Sequence, residues 1–92
     1  METVSNAYDE SEDAWVSDEI SLRRDIYLIV SLSTPGKLLI RQQTNGGDWL
    51  RVPLKRHKDS NQFALRISVH PDIVKIKIFT STQPKEIRYA YI

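Results

Sequence analysis

Seven cations stand inside segments where apolar and polar residues alternate: Arg41, Arg51, Lys55, Arg66, Lys75, Lys77 and Arg88. Successive side chains of an extended strand point to opposite faces, so strands that bury their apolar set turn these cations outward. The polar stretch 56–61 adds Arg56, His57 and Lys58. Gathered on a single face, such charges repel by roughly a few tenths of a kcal/mol for each close pair. A phosphate-bearing partner relieves that repulsion, releases counterions and binds with strong salt dependence. Trp49, Tyr27, Tyr89 and Tyr91 are the residues that could stack bases beside it, as single-strand binders do. Two plainer readings stand alongside. Strand Lys and Arg also protect sheet edges from aggregation, and the aromatics can serve as core.

Other chemistries find less to work with. His57 and His70 each precede an aspartate by two residues, Asp59 and Asp72, which makes two ligands apiece where a tetrahedral site needs three or four. No metal site is expected. No serine sits in a Gly-x-Ser-x-Gly elbow, and both histidines fall in or beside polar stretches. Asn45-Gly46-Gly47-Asp48 lacks the Gly-Lys-Ser/Thr ending of a phosphate-binding loop and reads as a hairpin turn. Paired carboxylates for glycosidic work would come only from the acidic N-terminal stretch, which is ill suited to holding fixed geometry. The expectation is a binding protein, not an enzyme, with no cofactor and no small-molecule substrate.

The formal net charge of +1 conceals a division along the chain. Residues 1–25 hold eight acids against Arg23 and Arg24, a net of −6, whereas residues 26–92 hold eleven bases against four acids, a net of +7. Such asymmetry points either to a polyanionic partner or to an acidic arm that screens a basic body. There is no cysteine, hence neither disulfide framework nor thiolate metal site. No apolar run approaches a membrane span, and the acidic opening lacks the basic and apolar regions of a signal peptide. A cytoplasmic protein with no membrane partner is expected.

Residues 1–10 carry no periodic apolar signal and are expected to form a flexible acidic N-terminus. Residues 11–92 are expected to form a single compact domain, within which 11–24 reads as a helical segment. Ser11 is the candidate cap, Glu12 and Asp13 suit the helix N-terminus, and Arg23 and Arg24 suit its end. Trp15 lies within it, either closing the core over a sheet or anchoring a partner. Asp9, Glu10, Glu12, Asp13 and Trp15 form the set expected to meet a basic protein surface.

Residues 26–92 read as a basic antiparallel β body. Ile26–Leu32 is β-branched and aromatic and suits a central strand. Thr34-Pro35-Gly36-Lys37 has the proline and glycine of a type II turn. Leu38–Thr44 and Trp49–Lys55 flank the Asn-Gly-Gly-Asp turn, with Pro53 restricting the second to an edge or a bulge. Gln62–Ile78 reads as a hairpin about His70-Pro71-Asp72, which would set Ile67 near Ile76 and Arg66 near Lys75 and Lys77. Glu86–Ile92 closes the chain. The fold class expected is α+β: a mostly antiparallel β-sheet of five to six short strands, with the N-terminal helical segment packed on it. The alternative is a small all-β sandwich or partly open barrel.

In length, in its acidic opening METVSNAYDESEDAWVSDEI, in its lack of cysteine and in its basic β body from IYLIVSL to RYAYI, the chain resembles the small phage-encoded anti-CRISPR proteins, most of all the type I-F inhibitors. The resemblance implies a non-enzymatic inhibitor in the host bacterial cell. Its partners would be subunits of the RNA-guided surveillance complex and their guide RNA, and it would stop target DNA from pairing with that guide. The body would meet guide phosphate and the acidic arm basic protein. A stand-alone single-stranded nucleic-acid-binding module and an immunity-type protein–protein interaction domain are the alternatives.

Overall fold

The computed structural model describes residues 1–52 and 59–92. Four short strands come first: β1 (Glu2–Thr3), β2 (Asn6–Asp9), β3 (Ala14–Ser17) and β4 (Ile20–Ser21). Six more follow: β5 (Ile26–Gly36), β6 (Leu38–Thr44), β7 (Trp49–Arg51), β8 (Ser60–Ile67), β9 (Ile73–Thr80) and β10 (Pro84–Tyr91). All pairings are antiparallel. Sheet A has the order β1-β10-β5-β8, and sheet B the order β2-β3-β9-β6-β7, with β4 following β3 along the same side of β9. The fold is therefore all-β, a two-sheet sandwich, and no helix occurs among the described residues.

Alternation builds the core. Ile26, Leu28, Val30 and Leu32 of β5 are buried, as are Phe63 and Ile67 of β8 and Ile87 of β10. Against them stand Leu38 and Ile40 of β6, Ile76 and Ile78 of β9, and Ile20 of β4, in the same apolar cluster. At roughly 1.5–3 kcal/mol for each fully buried aliphatic side chain, this shared interior is the main reason the two sheets stay together. β5 lies between β10 and β8, as its all-apolar start suggests for a central strand.

Four expectations are corrected. The segment 11–24 is not a helix: β3 and β4 add in succession to the edge of β9, through Trp15–Thr80 and Val16–Phe79, then Ile20–Ile76 and Ser21–Lys75. Its apolar residues never form a helical stripe, and they gain more by completing a sheet whose edge is open than by a turn of helix. Residues 1–10, read as a flexible arm, are paired. β1 joins β10, Val4 is buried in the core, and β2 joins β3 through a turn in which Asp13 takes a positive φ of 49°. Aspartate is one of the few side chains that tolerates that conformation.

The third correction concerns the stretch 62–78. β8 and β9 do not pair as a hairpin. β8 pairs β5 in sheet A, β9 pairs β6 in sheet B, and the connection through His70-Pro71-Asp72 crosses between the sheets. Alternation specifies which side of each strand faces the core, and it is silent on which strand lies alongside. The fourth is the type II turn at 34–37. That turn needs a positive φ at Gly36, but β5 runs extended through Gly36, and Gly47 is the glycine with positive φ. Gly36 answers a different demand: a Cβ there would lie 2.6 Å from Thr82 Oγ1 and 2.8 Å from Ser81 Oγ. The Asn-Gly-Gly-Asp hairpin forms as expected, with Gly47 at φ 94° joining β6 to β7 at the edge of sheet B.

Between Val16–Phe79 and Ile20–Ile76 the N-terminal side carries one residue more than β9, so the ladder breaks there. Ser17 repairs it. Its buried hydroxyl accepts the Ile78 N–H at 2.9 Å and donates to the Asp18 carbonyl at 2.9 Å. Replacing Ser17 with alanine leaves a buried amide without its acceptor, a loss of about 1–3 kcal/mol. Urea unfolding of Ser17→Ala is expected to show that loss, and an unchanged midpoint would contradict the assignment.

Candidate functional site

The outward positions of sheet B follow from its register. β6 turns Leu39, Arg41 and Gln43 outward, opposite Phe79, Lys77 and Lys75 of β9. β7 adds Arg51 beside Arg41 and Trp49 beside Gln43. Val16 of β3 joins Phe79 from the other side. Four cations, Arg41, Arg51, Lys75 and Lys77, thus share one face with Trp49 and Phe79. Lys77 Nζ stands 5.0 Å from the centre of the Trp49 ring, and the Arg41 guanidinium lies 4.6 Å over the buried Phe79 ring. Such cation–ring contacts fix long side chains that would otherwise sample many rotamers. Two shallow clefts of about 170 and 180 Å³ flank Arg41, and Trp49, Lys77 and Val16 line the second.

The acidic strands rim this face. Glu12, in the turn between β2 and β3, meets Arg41 as a two-pronged pair, Nη1 to Oε1 and Nη2 to Oε2, both at 3.2 Å. Glu19, ahead of β4, meets Lys75 Nζ at 2.5 Å. Asp9 also lines the second cleft, but its carboxylate accepts from the Ser11 hydroxyl at 2.6 Å and the Ser11 N–H at 2.9 Å. The acidic stretch therefore lies in cis on the basic face, the screening arrangement that the charge division allowed. Arg51 and Lys77 have no carboxylate within ion-pair distance among the described residues.

Other expected site residues lie elsewhere. Arg66 and Arg88 sit on the outward face of sheet A, so the cations do not share a single face. Arg66 donates to Asp25 at 2.9 Å, and Asp25 also accepts the Val69 N–H at 2.8 Å, tying the end of β8 to the start of β5. Arg88 pairs with Glu86 on its own strand. Lys55, Arg56, His57 and Lys58 lie outside the described residues. Asp13 accepts from the Tyr8 hydroxyl at 2.6 Å, and Glu10 is exposed in the same turn. Trp15 neither closes the core nor stands free; it is half-buried and edge-on to Tyr8, with ring centres 5.4 Å apart. Tyr89 and Tyr91 pack against the core, and Tyr27 is exposed on sheet A. The sequence signalled the cations through alternation, but Phe79 and Glu19 as members of the site needed the register.

His70 Nδ1 accepts the Asp72 N–H at 3.1 Å, a turn contact and not a shared ligand site. Among the described residues no three metal-ligating side chains converge, and no helix is long and apolar enough to cross a membrane. Compared with protein-family models, with curated proteins and with solved structures, the chain matches none of them.

Three carboxyls are held below their ordinary range. The Ser11 hydroxyl does so for Asp9, the Lys75 ammonium for Glu19, and the Val69 amide, then Arg66, for Asp25. A carboxyl depressed in the folded chain adds stability above its unfolded value, near 4, and gives it up as pH falls through the lower folded value. The urea midpoint is therefore expected to hold from pH 7 to about 5 and to drop below about 4. A midpoint that rises on acidification would contradict these contacts.

Proposed function

We propose that the chain is a non-enzymatic binding protein that takes single-stranded nucleic acid on the outward face of sheet B. The observation that carries this reading is the placement of two cation–ring pairs, Lys77 with Trp49 and Arg41 with Phe79, on one face with Arg51 and Lys75. Cations along a strand suit a phosphate backbone, and a half-buried indole beside them suits a stacked base of any identity. The exposed part of Trp49 supplies that platform, whereas Phe79 is covered and serves to aim Arg41.

A guide RNA held in a surveillance complex, the partner implied by the resemblance to type I-F inhibitors, is one carrier of such a strand. In that setting the face would meet guide phosphate. The acids of the N-terminal strands would begin engaged with the chain's own cations, not with a basic protein surface. A nuclease-resistant ribonucleoprotein recovered from bacterial lysate would assign the strand to such a complex. Bulk nucleic acid lost on nuclease treatment would assign it to free strands.

The test of the face itself is a titration of labelled single-stranded oligonucleotide at several salt concentrations. Log affinity is expected to fall linearly with log salt, with a slope of roughly −0.7 for each phosphate neutralised. Lys77→Glu and Arg51→Glu are expected to weaken binding at least tenfold and to flatten the slope, whereas Arg66→Glu on the other sheet changes affinity less than twofold. Equal losses from all three, or binding indifferent to salt, would overturn the reading.

A further inference from the structure

We infer that Arg41 and Lys75 are two phosphate subsites of the sheet B face, and that the carboxylates of Glu12 and Glu19 occupy them until a nucleic-acid strand displaces the acids. This rests on the proposed binding face and specifies where its ligand's charges go. The two-pronged contact of Glu12 on Arg41, with both distances at 3.2 Å, is the geometry in which a guanidinium also holds a phosphate. Phe79 lies beneath the same guanidinium, so the fork stays aimed outward when its carboxylate leaves. Lys75 holds Glu19 through a single ammonium contact, the point-charge mode in which lysine meets phosphate. Arg41 lies directly across from Lys77, which makes Lys75 its diagonal neighbour, roughly 7–8 Å away along the face. Trp49 lies on the same surface.

Glu12 is mounted on an element suited to moving, whereas Glu19 lies outside it, next to the buried Ile20. Among the described residues β2 pairs only with β3, and β3 holds β9 through Trp15, Val16 and the Ser17 hydroxyl on the Ile78 N–H. The ribbon from β2 to β3 is thus a flap with its base closed by the Asp18 N–H on the Ser5 carbonyl at 2.9 Å. On either side the chain is fixed, by Val4 and by Ile20 in the core. The Glu12–Arg41 pair is about one-third exposed on both partners, within reach of a competing polyanion and screened by salt. Displacing Glu12 with this flap therefore leaves the core untouched.

The experiment measures anisotropy of a labelled oligothymidylate with the full chain at about 0.1 M salt, where charges beyond roughly 10 Å are largely screened. Glu12→Gln and Glu19→Gln are expected to tighten binding several-fold each, and the double variant more than either. Glu10→Gln is the control, because Glu10 lies in the same turn and forms no ion pair among the described residues. It is expected to stay within twofold of the unaltered chain. Oligonucleotide is also expected to speed hydrogen exchange at the Trp15 amide, which faces Thr80 of β9. If Lys77→Glu abolishes binding while Glu12→Gln behaves as Glu10→Gln does, the face stands and its occupation in cis is overturned. If no form binds, the double variant included, the face falls and the subsites with it.

Discussion

The structure depends on the alternation of a single strand. β9 sends Ile76 and Ile78 inward and Lys75, Lys77 and Phe79 outward, with β6 on one flank and β3 followed by β4 on the other. A slip of one residue would expose the two isoleucines and bury two ammonium groups. Burying unpaired charge is far costlier than burying none, so the register that builds the core also fixes the cationic face. The core and the candidate site are two sides of the same ladder. The extra residue opposite β9 would disturb that register were it not absorbed at Ser17, whose hydroxyl stands in for a backbone carbonyl.

Electrostatics follow from this geometry more than from the net charge. Arg41 and Lys75 are each matched by a glutamate from the N-terminal side, while Arg51 and Lys77 form no ion pair among the described residues. Asp9 faces Lys77 across the cleft but spends its carboxylate on Ser11. A chain that is nearly neutral overall thus keeps one face cationic and its own counterions close by. Sheet A differs. Its outward arginines answer acids that belong to the fold, Asp25 for Arg66 and Glu86 for Arg88, and the Asp25 contact secures the end of β8.

Much of this was legible in the residues. The β-branched and aromatic run Ile26–Leu32 and the alternation in Val74–Ile78 marked strands, although Val74 is exposed and Ile73 is buried in its stead, and Asn45–Asp48 marked a hairpin. What alternation does not carry is partner choice. Phe63 to Ile67 and Ile73 to Ile78 both read as strands, and either a hairpin or a crossover buries the same side chains. The helix expected at 11–24 came from capping residues and end charges, signals worth about 1 kcal/mol each. The open edge of β9 offered a ladder and the burial of Ile20, which outweigh them. Gly36 and Pro35 carried turn chemistry, yet the close approach of Ser81 and Thr82 decided the glycine's place. The split of the cations between two outward faces was likewise hidden, because it depends on which sheet each strand enters.

The claim that sheet B carries the binding face is read out by backbone amide shifts during titration with a single-stranded oligonucleotide. Perturbations are predicted along Arg41, Gln43, Trp49, Arg51, Lys75 and Lys77, together with the indole N–H of Trp49, while Ile29, Ala64, Arg66 and Arg88 stay in place. Shifts centred on the outward face of sheet A, or spread evenly over both sheets, would contradict it.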